Sequence, residues 1–392
     1  MSQSKFKVGS LLGSTALVAL GVAFAGQATA GDHARVVKSS KDQVTLKLSG
    51  QFSREMSYID DGHNERVRHA DSNYSSSRFR FHASGKINAD MKVNAQNEIA
   101  FDDARNSISN TNGAANGSRS GNDLQTRKAE IFITHNQFGR VWMGAGDPAA
   151  NGVMNINTHG IYSALPGFMG LIAAGIQFRD SSDEHAFSAT RTVGGQMADL
   201  DFNSRQTRIR YDTPVIAGFM ASVSHDDDQS IEAALRYSGK VLDSKVKFGM
   251  AMAQNTNSGS NVEEMYGAQL SFTHSSGLGL TSGIAFQEDH APQSAPPGSV
   301  GGDIDKFGVV FQGHFKRKFN ELGNSTIVVE YDQKENVNQS GDVAKAYSVT
   351  LHQAIDAAAM DVWIKYSNFE LDREGSDLDD IDIVTLGTRM KF

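Results

Sequence analysis

The sequence contains no cysteine, which excludes disulfides, thiolate metal sites and a cysteine nucleophile. Proline is scarce, at 6 of 392 residues, so a Pro-rich linker architecture is excluded as well. Beyond the N-terminus no apolar run reaches the roughly 18 residues that a membrane-spanning helix needs, which removes the polytopic helical membrane proteins. An excess of positive charge is also missing. The formal net charge is −8, so nucleic acid is not an expected partner. With 39% hydrophobic and 21% charged residues, the bulk composition is that of an ordinary acidic protein. Its length would suit two or three domains of about 150 residues, although all-β barrels run longer as one unit.

Residues 1–30 read as a segment apart from the fold. Lys5 and Lys7 form a positive n-region, residues 11–26 are apolar and small, and Ala28-Thr29-Ala30 gives an A-x-A pattern before Gly31. These are the three parts of a secretory signal peptide, cleaved after Ala30. The apolar stretch is short for a span, and no cysteine follows it to accept a lipid. Residues 31–392 are then expected to form a single domain.

What the remainder has is a period of two. In residues 306–316, Phe307, Val309, Phe311, Gly313 and Phe315 fall on one face. Lys306, Gly308, Gln312, His314 and Lys316 fall on the other, with Val310 as the exception. Likewise Phe79, Phe81, Ala83 and Ile87 oppose Arg78, Arg80, His82 and Lys86, and Val44, Leu46 and Leu48 oppose Thr45, Lys47 and Ser49. Sixteen such segments are predicted, at 43–58, 74–88, 91–102, 125–135, 139–147, 203–212, 218–226, 230–239, 245–255, 262–274, 278–287, 305–316, 326–335, 345–355, 360–369 and 382–392. Their connections alternate in length. Those at 89–90, 136–138, 275–277 and 356–359 are short; those at 59–73, 103–124, 148–202, 288–304, 336–344 and 370–381 are long and polar.

A β-sandwich has no reason to sort its connections this way, whereas outer-membrane barrels have short periplasmic turns and longer extracellular loops. The expected fold is therefore all-β: a transmembrane, up-and-down antiparallel β-barrel of sixteen strands around an aqueous lumen. Only one face of each strand must then be apolar. The outward phase carries Phe52, Tyr58, Phe101, Tyr211, Phe219, Tyr237, Tyr266, Phe286, Tyr331, Tyr347, Tyr366 and Phe392, many near a strand end, as interfacial girdles require. Phe132, Trp142 and Trp363 fall inward. The stretch from Ile161 to Phe178 is apolar for a loop. It suits packing against the inner wall, or an extra hairpin with 184–193 that would make eighteen strands.

Bases dominate the inward phase, among them Lys47, Arg78, Arg80, Lys86, Lys92, Lys128, Arg208, Arg210 and Arg236; Glu55, Glu98, Glu130 and Asp332 are acids there. Most acids gather in loops, as in Asp226-Asp227-Asp228 and from Asp377 to Asp382. An acidic mouth concentrates cations, and such loops suit loosely bound divalent cations such as calcium that bridge to lipopolysaccharide. No chemistry-bearing constellation emerges. Gly144, Gly146 and Ala149 fit G-x-G-x-x-A, but the Asn-rich run that follows supplies no helix start for a dinucleotide. H-E-x-x-H, G-x-S-x-G and EF-hand spacings are absent. No catalytic residue, metal ligand or tightly held cofactor is assigned, and a non-enzymatic role is expected.

The chain resembles the trimeric Gram-negative general porins, most of all the alphaproteobacterial type. The resemblance is carried by a first strand VTLKLSGQFSREMSY, the pair RQTRIRYDTPVIAGFMASVSHDD at 205–227, and a last strand VTLGTRMKF that closes on Phe392. It implies passive diffusion of small hydrophilic solutes and ions across the outer membrane, a homotrimer, and presentation of the Phe392 strand to the barrel assembly machinery. It also implies that the third extracellular loop, here 148–202, folds into the lumen as a constriction. A basic cluster on the early strands then faces acids of that loop. Lys47, Arg78, Arg80, Lys92 and Lys128 are the candidates for the basic wall, and Asp180, Asp183 and Glu184 for the acidic loop. The sequence departs from enteric members, whose acidic P-E-F-G-type motif is replaced by LPGFMGLIAAGIQFRD at 165–180. Two other readings remain. One is a substrate-specific sugar or anion channel with Arg78, Arg80, Trp142 or Trp363 as a binding track; the other is a secreted β-sandwich adhesin or binding protein.

Overall fold

A strand with one apolar face is stable in lipid only if every backbone polar group is paired, so its sheet must close on itself. A computed structural model, which describes residues 35–38, 43–101, 124–180, 191–255, 262–289 and 304–392, has this closure. The signal-peptide segment lies outside the described residues. The strands are β1 (Arg35–Lys38), β2 (Val44–Asp60), β3 (Glu65–Ala70), β4 (Arg78–Lys86), β5 (Met91–Phe101), β6 (Leu124–His135), β7 (Gly139–Gly146), β8 (Gln206–Asp212) and β9 (Phe219–Asp226). They continue as β10 (Ser230–Val241), β11 (Ser244–Asn255), β12 (Val262–His274), β13 (Leu278–Asp289), β14 (Ile304–Asn320), β15 (Gly323–Glu335), β16 (Val343–Ile355), β17 (Met360–Asp372) and β18 (Ile381–Lys391).

From β4 onward each strand pairs antiparallel with the next, and β18 returns to β2, with Leu386 opposite Met56. β3 and β4 share one side of β2, with Val67 opposite Tyr58 and Phe81 opposite Leu48. They are two halves of one interrupted barrel strand. The result is a closed sixteen-strand barrel, with β1 laid along the start of β2 as one extra strand. The single closed sheet rules out the sandwich. The eighteen-strand alternative also falls, because 161–178 stays out of the wall and meets 192 only through an isolated bridge at Gln177.

One predicted connection is wrong. Residues 59–73 are not a long loop: β2 runs on to Asp60, a tight hairpin turn follows, and β3 returns along it. The chain then leaves the wall at 71–77. There the Asp71 carboxylate accepts from the Ser72 N–H (3.1 Å), the Ser77 N–H (2.8 Å) and the Ser77 hydroxyl (3.0 Å). Asp, Ser and Asn side chains offer the backbone such local partners, which compete with a sheet ladder. The break carries Tyr74 into the lumen, where it is buried.

The outward phase holds as read. Phe52, Tyr211, Phe219, Tyr266, Phe286, Tyr347 and Tyr366 are exposed on the outer face, while Phe132 and Trp363 are buried inside. Arg54 and His69 also lie on the outward phase of β2 and β3, and both are exposed.

The interior is not empty. Residues 147–180 and 191–205, between β7 and β8, run along the inner wall and pack on it chiefly at two apolar seats. At the first, Val153, Met154, Leu200 and Phe202 meet the small inward residues Ala234, Ala253 and Ala285. At the second, Met169, Ile172, Ile176, Phe178, Val193 and Met197 meet Ala344, Ala346, Phe369, Ile381 and Ile383, together with Tyr74 from the strand break. Val310, which broke the alternation, faces inward next to Met154, Phe168 and Leu200. These inward apolar positions are thus where the loop sits.

Candidate pore constriction

The loop leaves the wall through a fixed root. The Arg208 guanidinium on β8 donates to the carbonyls of Gly144 (2.9 Å) and Asp147 (3.0 Å) and pairs with the Glu130 carboxylate (2.5 Å). Arg210 donates to the Pro148 carbonyl (2.9 Å), and Lys128 pairs with Asp147. The two glycines of the discarded dinucleotide pattern have their use here. Gly144 takes φ +116°, and a side chain at Gly146 would collide with the Glu130 carboxylate and the Arg208 guanidinium.

Beyond the root the loop is tied to successive strands. Ala149 N–H donates to the Ser224 hydroxyl (2.7 Å) and Ala150 N–H to Glu232 (2.7 Å). Thr158 N–H donates to Ser271 (2.9 Å), Gln312 Nε2 to the Ala164 carbonyl (3.0 Å), and Gly167 N–H to Glu330 (3.1 Å). Arg179 pairs with Asp61 at 3.1 Å, both wholly buried. From the strand break, Asn73 Nδ2 donates to the Leu171 carbonyl (3.0 Å), and the Lys365 ammonium donates to the Tyr74 hydroxyl (2.8 Å). His159 is wholly buried against His314 and Gln312, and burial pushes its imidazole down to about 3, so it sits there neutral.

The outgoing and returning limbs are pinned together by Asp201. Its carboxylate accepts from the Gly152 N–H (2.7 Å) and the Met154 N–H (3.0 Å). Burial pushes its acid up to about 7, outweighing those two donors.

Between this loop and the wall of β4 to β6 lies an open space of about 490 Å³. Arg78, Arg80, Glu98, Arg127, Lys128 and Asp147 line the wall side. Glu98 accepts from Arg80 (2.5 Å), Arg127 (2.6 Å) and Arg78 (3.2 Å), so one carboxylate answers three guanidinium groups and the wall stays positive. Tyr162, Leu165, Phe168, Leu171 and Asp199 line the loop side, with Asp201 and Arg205 on the returning limb.

Arg78, Arg80 and Lys128 are therefore brought together. Lys47 and Lys92 point into the lumen nearer its short-turn end, opposite His82 and Thr134, and do not line this space. Asp180 does not line it either. The burial of Phe178 and Arg179 carries it to the connection between β17 and β18, where it bridges to Leu378 and pairs with Arg191 at 3.5 Å. Asp183 and Glu184 lie outside the described residues. The acids that face the space from the loop's returning limb are Asp199 and Asp201, besides Glu98 and Asp147 on the wall side, and strict alternation also misses Arg127. A bulge between Glu98 and Ile99 skips one residue of β6, so Arg127 and Lys128 both reach the lumen.

A model of the Gram-negative porin family matches residues 13–389. The chain is a Gram-negative porin. A search of curated proteins returned no match. Among solved structures the porin is similar to an anion-selective porin from Comamonas acidovorans, with 15% identity and a TM-score of 0.60 over 89% of this chain and 100% of that one. It is also similar to OmpT of Vibrio cholerae (12%, TM-score 0.57, 91% and 100% covered). A third likeness is to OmpF of Salmonella typhi, solved in complex with daunomycin (12%, TM-score 0.54, 91% and 100% covered). At such identities these likenesses speak for the barrel fold. Family and fold together make the porin an integral outer-membrane protein and a channel through which small hydrophilic solutes diffuse passively.

Proposed function

We propose that the space between the Arg78–Arg80–Arg127–Lys128 wall and the loop residues 147–171 and 199–205 is the narrowest part of the porin's path. The observation that supports this reading is the loop itself, seated inside the barrel and facing three arginines across about 490 Å³. Size does most of the selecting there, and the field from the wall to Asp199 orients water and dipolar solutes. The surplus of bases on the wall favours anions over cations. No bond is made or broken in such passage, and no tightly held cofactor is needed.

A trimer fits the outer surface. Arg54 lies on the outward phase between Phe52 and Tyr58, with His69 beside it on β3. A charged side chain on the lipid face of a barrel costs about 2–4 kcal/mol near the bilayer midplane, whereas a neighbouring subunit can receive it. At the loop end, burial and the nearby Glu370, Asp382 and Asp379 push the Asp380 acid up to about 6. Crowded carboxylates of this kind suit loosely held divalent cations bridging to lipopolysaccharide. The strand ending in Phe392 is the part offered to the barrel assembly machinery.

The test is planar-bilayer recording under a salt gradient. Replacing Arg78→Gln and Arg80→Gln together should move the reversal potential toward cation preference, with the open channel retained. An unchanged reversal potential would remove these residues from the narrowest section.

A further inference from the structure

Beyond passive diffusion, one cluster near the short-turn mouth has the composition of a binding site. The inward faces of β6 and β7 place Phe132 opposite Trp142 and Thr134 opposite Arg140. The two rings lie 4.0 Å apart between centroids, and the His82 ring is 6.1 Å from Phe132. The Arg140 guanidinium lies over both, 5.2 Å from the Phe132 centroid and 4.8 Å from that of Trp142. The Trp142 indole N–H donates to Asp212 at 2.8 Å, which sets its ring plane.

What distinguishes Arg140 is its free edge. Its Nε donates to the Thr134 hydroxyl at 3.2 Å, while its two terminal amino groups donate to nothing among the described residues. Arg78, Arg80, Arg127, Arg208 and Arg210 all pair with carboxylates. Asp212 stands opposite Arg140 on β8 but is taken by Arg210 (2.7 Å) and Trp142. The bases continue sideways. Lys92 is opposite Thr134, Lys86 is opposite Lys92, and both are exposed to the lumen. The exposed turn residue Asp90 interacts with Asn136 instead.

A guanidinium held over aromatic rings, with its fork open, matches a planar carboxylate bidentately. The half-buried Trp142 ring, backed by the buried Phe132, supplies a stacking surface for a flat apolar body, and the lysines add unspecific attraction. We propose that Arg140, Trp142 and Phe132 form a weak, transient site for small planar aromatic carboxylates. It lies at the mouth that faces the periplasm in a barrel with short periplasmic turns. The site stands apart from the constriction and does not depend on which residues form it.

Benzoate is the probe, with acetate and cyclohexanecarboxylate as controls, added at the short-turn side of single reconstituted channels. Benzoate should reduce the current saturably and the controls much less. Arg140→Gln should weaken the block about tenfold, Arg140→Lys should restore it only in part, and Arg78→Gln should leave it intact. Equal block by acetate or cyclohexanecarboxylate, an unchanged Arg140→Gln channel, or loss in Arg78→Gln in place of Arg140→Gln would overturn the proposal. A second readout needs no conduction, because the chain has 2 tryptophans. Benzoate should alter the emission of the folded porin and of Trp363→Phe, but not of Trp142→Phe. The opposite pattern, or no response in any of the three, overturns it as well.

Discussion

Asp201 shows how a single residue can couple the pore to pH. Its carboxyl is pushed from an ordinary value of 3.8 up to about 7 by burial between the loop limbs. A raised value in the fold means that the neutral form is the better fit. Its contribution to stability is therefore fully present below about pH 4 and is lost as pH rises through 7, because burying the charge costs more than the two N–H bonds return. A negative charge also develops at the loop side over that upper range. The porin's cation preference should accordingly increase between about pH 6 and pH 8, and Asp201→Asn should flatten the profile. Reversal potentials across that window decide the matter; a flat wild-type curve would assign the residue a purely structural part. At this scale the sequence was readable where alternation was regular, as for Arg78, Arg80 and Lys128. It was unreadable at Arg127, where a bulge slips the phase by one residue. Nor could alternation speak for the loop acids, since irregular chain has no period from which to place Asp180 or Asp199.

Strands and loop obey different rules, and their legibility differs accordingly. Period two located the strand cores, from β2 at its Phe52 to β18 at its Leu386, because lipid on one face and water on the other leave little room for compromise. The break at 71–77 escaped because its Ser-rich run reads as an ordinary connection. The loop seat was written in the exceptions. Val310, Phe369, Ile381 and Ile383 are apolar on a face that should meet water, and each marks inner wall covered by the loop. Placing a carboxylate among them should release the loop, since an unpaired buried charge costs several kcal/mol. Ile176→Asp should therefore give channels of larger and noisier conductance at the same barrel size. Conductance indistinguishable from wild type would mean that the loop does not limit flow.

For the molecule as a whole, the outer surface is the informative face. It carries apolar and aromatic residues over much of its circumference, and Arg54 and His69 are confined to β2 and β3. If that sector meets a second copy, Arg54→Leu should lower the temperature at which trimers fall to monomers on semi-native gels. If it meets lipid, the same change should leave the assembly untouched or make it firmer. The sorting of connections into short and long was enough to predict a membrane barrel, because a two-sided sheet needs its ends in different compartments. Assembly number was beyond reach of alternation alone.

The larger of the two loop seats also fixes an order in time. Tyr74 meets Lys365 across 291 residues of chain, and the partners of Ile176 and Phe178 come from β16 to β18. That surface does not exist until the last strands are in place. A barrel that lacks them has no second seat for the loop, so the passage reaches its full narrowing only at the final stage of its own construction. The cell is never offered a finished filter in an unfinished wall.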